Sequence, residues 1–246
     1  MNRNNKLDFL RFAGILLVIL FGLLFYPVNM AIANTSTHYQ HKAASSDGIG
    51  KVYMGREISQ VMGHKGAMWL ERPTREAQEQ PSKIVSALEL KDTDVVADIG
   101  AGTGYMSFRI APKVSDGKVF AVDIQPEMLD IIEFYKKRTK IHNIEPILAT
   151  STNPNLPSKS VDLALMVDAY HEFEYPKEVM QGVVKSLKPG GKAVLVEYRG
   201  ENPFIAIKRL HKMTQKQVKK EMKAVGLKWV ETKELLPQQH LMIFEK

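Results

Sequence analysis

The run Asp98-Ile99-Gly100-Ala101-Gly102-Thr103-Gly104 constrains this chain more than any other segment. It follows the β-type apolar run Val95-Val96-Ala97 and precedes a stretch, 105–111, that reads as helix. A strand that breaks into glycines and then a helix brings backbone N–H groups against a ligand. Only glycine tolerates the positive φ values and the close approach such a turn requires. The spacing is G-x-G-x-G, not the G-x-G-x-x-G of dinucleotide-binding turns, which counts against a nicotinamide-dependent oxidoreductase.

A second acid follows at a telling place. Residues 118–123, Lys-Val-Phe-Ala-Val-Asp, read as a buried parallel strand that ends in Asp123, 19 residues beyond Gly104. In doubly wound α/β folds an acid there accepts hydrogen bonds from ribose hydroxyls. Asp123 also stands where it could cap a helix over 127–137, because Pro126 suits a first helical turn, and both readings stay open. The rest of the chain alternates helices, at 82–90, 127–137 and 176–187, with strands, at 144–149, 161–167 and 193–197. That pattern predicts a parallel sheet with helices on both faces. Thr214 and Gln217 form a capping-box pattern for a basic helix that stops near Gly226, and two β-rich runs, 228–235 and 240–245, close the chain.

Together these motifs resemble the class I S-adenosylmethionine (SAM)-dependent methyltransferases over residues 82–246. The resemblance rests on the acid-led glycine turn, Val122-Asp123, Leu187-Lys188-Pro189-Gly190-Gly191 before the fifth strand, and the final strand pair. It implies a Rossmann-like seven-stranded sheet with its last strand antiparallel, and SAM as the cofactor. It places SAM binding on Asp98, Gly100, Ala101, Gly102 and Gly104, the ribose on Asp123, and the adenine beside Ile124. Many members carry an acid after the third strand for the adenine amino group. This chain reads Ala149-Thr150-Ser151-Thr152-Asn153 there, which leaves Thr150, Ser151 or a backbone carbonyl as acceptor. The segment Asp168-Ala169-Tyr170-His171-Glu172-Phe173 resembles a small subgroup of predicted methyltransferases.

That segment lies past the carboxyl end of the fourth strand, where open parallel sheets bind ligands, and it supplies the catalytic candidates. His171 could take a proton from an acceptor hydroxyl or amine, Asp168 could hold the SAM amine or orient the substrate, and Glu172 could orient His171. His171 and Glu172 could also simply open the next helix. Tyr170, Tyr198 and Arg199 are the expected substrate contacts. His211 and Lys212 are expected in a lid, His240 at the cleft mouth, and Trp69 in packing. No metal site is expected, because Asp168, His171 and Glu172 cluster in one segment with no second cluster evident. The expected reaction is methyl transfer to a small-molecule or lipid-like acceptor. The alternative is a weak or inactive methyltransferase-fold factor that binds and assembles at a membrane.

The start of the chain carries a different signal. Arg3, Lys6 and Arg11 lead an apolar run over 12–28, followed by Ala31-Ile32-Ala33. This describes a secretory signal peptide or a membrane anchor over 1–33, with the domain exported or membrane-anchored. Such a location needs SAM, a cytoplasmic product, to be imported, or an unusual compartment. Residues 34–50 read as a linker and 51–81 as a helical cover over the cofactor cleft. There are no cysteines, which excludes disulfides, thiolate metal sites and a cysteine nucleophile. Lys208, Arg209, Lys212, Lys216, Lys219, Lys220 and Lys223 face the single acid Glu221 in one short region. A solvated helix face explains them, as does an anionic partner, either a phospholipid leaflet or an acidic substrate. Nucleic acid is disfavoured, since no aromatic residues interleave to stack on bases.

Overall fold

In the computed structural model, which describes residues 38–246, the continuous apolar runs become the central strands of one sheet. Counting from the start of the described chain, these are β4 (Val95–Ile99), β5 (Lys118–Asp123), β6 (Ile144–Leu148), β7 (Val161–Val167), β8 (Leu187–Tyr198), β9 (Lys228–Lys233) and β10 (Gln239–Glu245). Their order across the sheet is β6-β5-β4-β7-β8-β10-β9. The strands from β6 to β8 pair in parallel, and β10 runs antiparallel to both β8 and β9. This is the seven-stranded arrangement expected, with its last strand reversed. Val96, Ala97, Val119, Ala121, Leu165 and Met166 are fully buried because helices cover both faces. Asp162, the polar interruption in β7, accepts from the Val95 N–H at 2.9 Å and from Lys188 Nζ at 2.7 Å.

The chain leaves β4 toward β5 on one side and enters β7 on the other, so the strand order reverses at β4. A crevice opens beyond the carboxyl ends of strands at such a reversal. The glycine turn, Asp123 and the 168–173 segment all lie at those ends.

The 34–50 linker and the 51–81 helical cover are corrected by the structure. Among residues 38–59, β1 (Tyr39–His41), β2 (Gly48–Tyr53) and β3 (Arg56–Ser59) form a three-stranded antiparallel sheet. The link from β2 to β3 is Met54-Gly55, with φ of 47° and 98°. Two positive φ values make the tight hairpin turn whose twist suits paired strands. Tyr53 and Ile58 point into the interior, and buried Glu57 accepts from Ser45 N at 2.9 Å and Ser45 Oγ at 2.8 Å. Helix begins only afterwards, in three short pieces: α1 (Ala67–Leu70), α2 (Arg75–Glu79) and α3 (Pro81–Ala87).

The later helices are α4 (Ser107–Ile110), α5 (Pro126–Arg138), α6 (Pro176–Ser186) and α7 (Gln215–Ala224). The Thr214 hydroxyl accepts from the Gln217 N–H at 3.2 Å, as the capping pattern predicts. The fifth strand of the core begins at Leu187 rather than near 193, because Leu187 pairs with Val161 before a register shift. The expected signal or anchor, residues 1–33, lies outside the described residues. Among the described residues no helix is long and apolar enough to cross a membrane.

Candidate active site

The glycine turn is built for close approach. Gly100 has φ of 75° and Gly102 φ of 56°. A Cβ on Gly100 would lie 2.5 Å from the Ala169 Cβ, and one on Gly102 would lie 2.6 Å from Leu70 Cδ1. The N–H groups of Gly100 and Ala101 donate to the Val122 carbonyl at 2.8 and 3.0 Å, and Gly102 N–H donates to Asp123 Oδ2 at 2.8 Å. The turn therefore offers a flat backbone surface rather than the free donors expected from sequence. Asp98, Ala101 and Gly104 sit behind that surface, not on it. The Asp98 carboxylate is buried and accepts from Ser107 Oγ at 2.6 Å, and burial raises its pKa to about 6.

A first cavity runs along this surface and is lined by Gly100, Gly102, Asp123, Ile124, Thr150 and Ser151, among others. Asp123 Oδ1 accepts from Gln125 N–H at 2.9 Å, so the acid also holds the entry to α5, although Gln125 is the residue in the capping position. Each carboxylate oxygen keeps a second lone pair for a ribose hydroxyl. Burial raises the Asp123 pKa, against the backbone N–H groups that lower it. The Thr150 hydroxyl accepts from Asn153 N–H at 3.0 Å within its own turn.

A second cavity, of about 450 Å³, adjoins the first and is lined by Asp168, His171, Glu172, Tyr198 and His211 together with Trp69. Asp168 follows β7 directly, with φ of 50°, an uncommon backbone state for a residue other than glycine, fixed by its N–H donating to the Val196 carbonyl at 2.9 Å. Asp168 Oδ2 accepts from Gln239 Nε2 at 2.6 Å, while buried Oδ1 has no partner among the described residues. Burial, then the charges of Glu79 and Glu197, push its pKa well above the ordinary carboxylate value.

His171 occupies a single turn of tight helix, Tyr170–Glu172, held by the N-terminal sheet. Its carbonyl accepts from Arg56 Nη1 at 3.1 Å and Ser59 Oγ at 3.3 Å. Its Nδ1 lies 2.6 Å from Glu197 Oε2, and its Nε2 lies 3.2 Å from His211 Nδ1. Burial alone would lower the His171 pKa, but Glu197, then Glu172 and Asp168, raise it above the ordinary histidine value. Glu197, not Glu172, is thus the acid that orients the ring. Glu172 instead accepts from Met62 N–H at 3.2 Å and lies on the wall of both cavities.

Other expectations need correction. Tyr170 is not a substrate contact: its buried hydroxyl donates to Glu221 Oε2 at 2.7 Å, beside the ion pair that Arg56 Nε makes with Glu221 at 2.7 Å. Arg199 turns away from both cavities, donating to Glu234 Oε2 at 2.7 Å and to the Pro237 and Leu236 carbonyls at 2.9 Å each. His240 is buried within the sheet rather than at the cleft mouth, and burial lowers its pKa. Lys212 bonds the carbonyls of Asn202 and Ile205 at 3.3 and 3.2 Å. Tyr198 does line the second cavity, with its hydroxyl donating to Glu79 Oε1 at 2.7 Å. Sequence reasoning missed the meeting of Glu197 and His211 with His171, since only the sheet and the loop beyond β8 bring them together.

SAM fits the first cavity on two observations. The turn has no room for a Cβ at Gly100 or Gly102, and Asp168, whose buried Oδ1 has no partner among the described residues, lines the adjoining cavity and suits an ammonium group. The family model described as a methyltransferase domain matches residues 96–191. An uncharacterized methyltransferase-like protein of Schizosaccharomyces pombe is 31% identical over 151 residues, covering 60% of this chain and 55% of that protein. A demethylmenaquinone methyltransferase of Tropheryma whipplei is 32% identical over 113 residues, covering 45% of this chain and 44% of that protein. The chain thus spans about half the length of the curated relatives it matches. A SAM-dependent methyltransferase of Aquifex aeolicus superposes with a TM-score of 0.71 at 20% identity, covering 75% of this chain and 99% of that one. Sheet order, the segment matched at 96–191 and these relatives support a class I S-adenosylmethionine-dependent methyltransferase domain, which implies S-adenosylmethionine as its cosubstrate.

Proposed function

We propose that the chain transfers the methyl group of SAM to a small, lipid-like acceptor seated in the second cavity. One observation carries this reading. Val61, Met62, Leu70 and Glu172 belong to the walls of both cavities, so a donor along the glycine turn and an acceptor facing His171 meet there. Bound SAM supplies a methyl group already activated by its sulfonium. The chain's own residues bind, align and exclude water. Asp123 takes the ribose, Asp168 takes the amine, and Leu70 with Met62 closes the cleft from above. His171 Nε2 faces the acceptor, its ring fixed by Glu197.

The rim of the second cavity favours a lipid-like acceptor. Trp69 lines it and is 53% exposed, and neighbouring Met68 is 86% exposed. The loop that carries Phe204, 93% exposed, contributes Ala206 and Ile207 to the wall. Such exposed apolar side chains mark a contact surface. The Tropheryma whipplei relative, a demethylmenaquinone methyltransferase, agrees with an acceptor of that kind. Exposed Lys208, Arg209, Lys216 and Lys223 support contact with an anionic lipid surface. Together with the apolar start of the chain, they favour work at or across a membrane.

Incubating the purified chain with methyl-labelled SAM and lipid or metabolite extracts tests the reading. Labelled product dependent on Asp123 supports transfer. SAM binding without product from any extract would instead favour the binding or assembly role.

A further inference from the structure

The geometry points to a divalent transition-metal site formed by His171 Nε2, His211 Nδ1 and Glu172 Oε1, open toward the acceptor cavity. The three atoms come from two segments: the turn after β7 and the tight helical turn Arg209–His211. His171 Nε2 lies 3.2 Å from His211 Nδ1, and Glu172 Oε1 lies 3.9 Å from the first and 3.6 Å from the second. A triangle of those sides, 3.2, 3.9 and 3.6 Å, has its centre about 2.1 Å from each corner, the length of a zinc–nitrogen or zinc–oxygen bond. Among the described residues this is the group of titratable side chains close enough to share an ion.

The surroundings are those of a ligand set. Glu197 Oε2, 2.6 Å from His171 Nδ1, fixes the proton on Nδ1 and leaves the Nε2 lone pair free to bind a metal. The Met62 N–H, 3.2 Å from Glu172 Oε2, turns the other carboxylate oxygen toward the two rings. All three ligand residues line the second cavity, so the remaining coordination positions face the acceptor. Two imidazoles and one carboxylate with open positions suit a divalent ion such as zinc, iron or cobalt.

The site rests on the methyl-transfer reading only for its purpose: it would select acceptors with an acidic hydroxyl, of the phenol or enol class. The hydroxyl proton passes to solvent, an oxygen lone pair forms the new bond to the methyl carbon, and the electron pair of the broken S–C bond returns to sulfur.

The test uses the full chain, free of any affinity tag and stripped with a chelator, titrated with Co²⁺ or Zn²⁺ alone. One ion per chain is expected, with Co²⁺ giving visible bands of a nitrogen–oxygen site. His211→Ala and Glu172→Gln, both at partly exposed positions, are expected to weaken binding by about 100-fold or more while the protein melts as before. Glu197→Gln is expected to weaken it by about 10–100-fold, the range for a partner of a ligating histidine. No stoichiometric binding, or binding unchanged in both His211→Ala and Glu172→Gln, overturns the site. SAM affinity measured on the same samples separates the two ideas. SAM binding without metal binding removes the metal and leaves methyl transfer. Metal binding without SAM binding does the reverse.

Discussion

His171 Nδ1 and Glu197 Oε2 stand 2.6 Å apart with both side chains out of solvent, a tightly held polar pair at the acceptor cavity. Glu197 lies inside β8, a strand anchored on both sides, so it holds the imidazole from a rigid element. Glu197→Gln keeps the shape and loses the charge. We expect turnover to fall about 10–100-fold with SAM affinity within a few-fold, because the glycine surface is untouched. Glu197→Ala leaves His171 buried without its partner and should cost about 3 kcal/mol or more of stability. Turnover unchanged in Glu197→Gln, measured against a saturating acceptor, would make the pair purely structural.

The cofactor surface offers two further variants. Gly102→Val places a branched side chain at φ of 56° and against Leu70 Cδ1, so it should block SAM binding, measured by calorimetry. Asp123→Ala removes the ribose acceptor and two backbone partners, Gly102 N–H and Gln125 N–H. SAM affinity should drop about 100-fold, with a stability loss of about 1–3 kcal/mol. Normal SAM affinity in both variants would sink the assignment of the first cavity.

Much of this was legible in the sequence for a physical reason. Buried parallel strands are continuous apolar runs, so β4, β5 and β7 announced themselves, and the glycines marked where the backbone turns sharply. The 168–173 segment could be placed because strand ends hold ligands in such sheets. The N-terminal sheet was missed because β2 and β3 are short and mixed in polarity, although Gly55 marked their turn. The pairing of His171 with Glu197 and His211 was hidden because it depends on strand order and loop docking, which leave no local periodicity. Arg199 was misread for the same reason: its ion pair with Glu234 forms only when β10 doubles back.

Asp98 predicts a pH effect whose sign is opposite to that of a salt-bridged acid. Burial raises its pKa to about 6, above the value of about 3.9 expected in the unfolded chain. The folded state therefore prefers the protonated acid. Its stabilising contribution is complete below about pH 4 and is lost as pH rises through 6. Asp98→Asn keeps an acceptor for Ser107 and carries no charge. The variant should exceed the parent by roughly 2–3 kcal/mol at pH 7–8 in denaturant titrations, and the gap should close below about pH 4. A gap independent of pH would show that Asp98 is uncharged throughout or compensated by a group outside its hydrogen bonds.

The start of the chain makes a separate prediction. Residues 1–40 fused to a reporter that works only outside the cytoplasm should give signal, with Arg3, Lys6 and Arg11 keeping the first residues inside. A mature cytoplasmic protein that retains residues 1–33 would count against export.

The cover over the cofactor is fastened through one side chain. Gln125 Oε1 accepts from His64 N–H at 2.8 Å, and Gln125 Nε2 donates to the Met62 carbonyl at 3.1 Å. Both contacts lie in the segment that brings Leu70 down on Gly102. Gln125→Ala deletes them while its own N–H still serves Asp123. Two hydrogen bonds contribute about 1–3 kcal/mol net, so the closed state should lose that much relative to an open one. SAM should then dissociate about 10-fold faster in stopped-flow measurements, with a smaller change in its association rate, and amides of residues 61–72 should exchange faster. Global melting should shift little, because the core beneath is untouched. If exchange and off-rate both stay at the parent values, the cover is held instead by the Arg56–Glu221 and Arg75–Glu79 ion pairs at its two ends, and Gln125 only shapes the turn after β5.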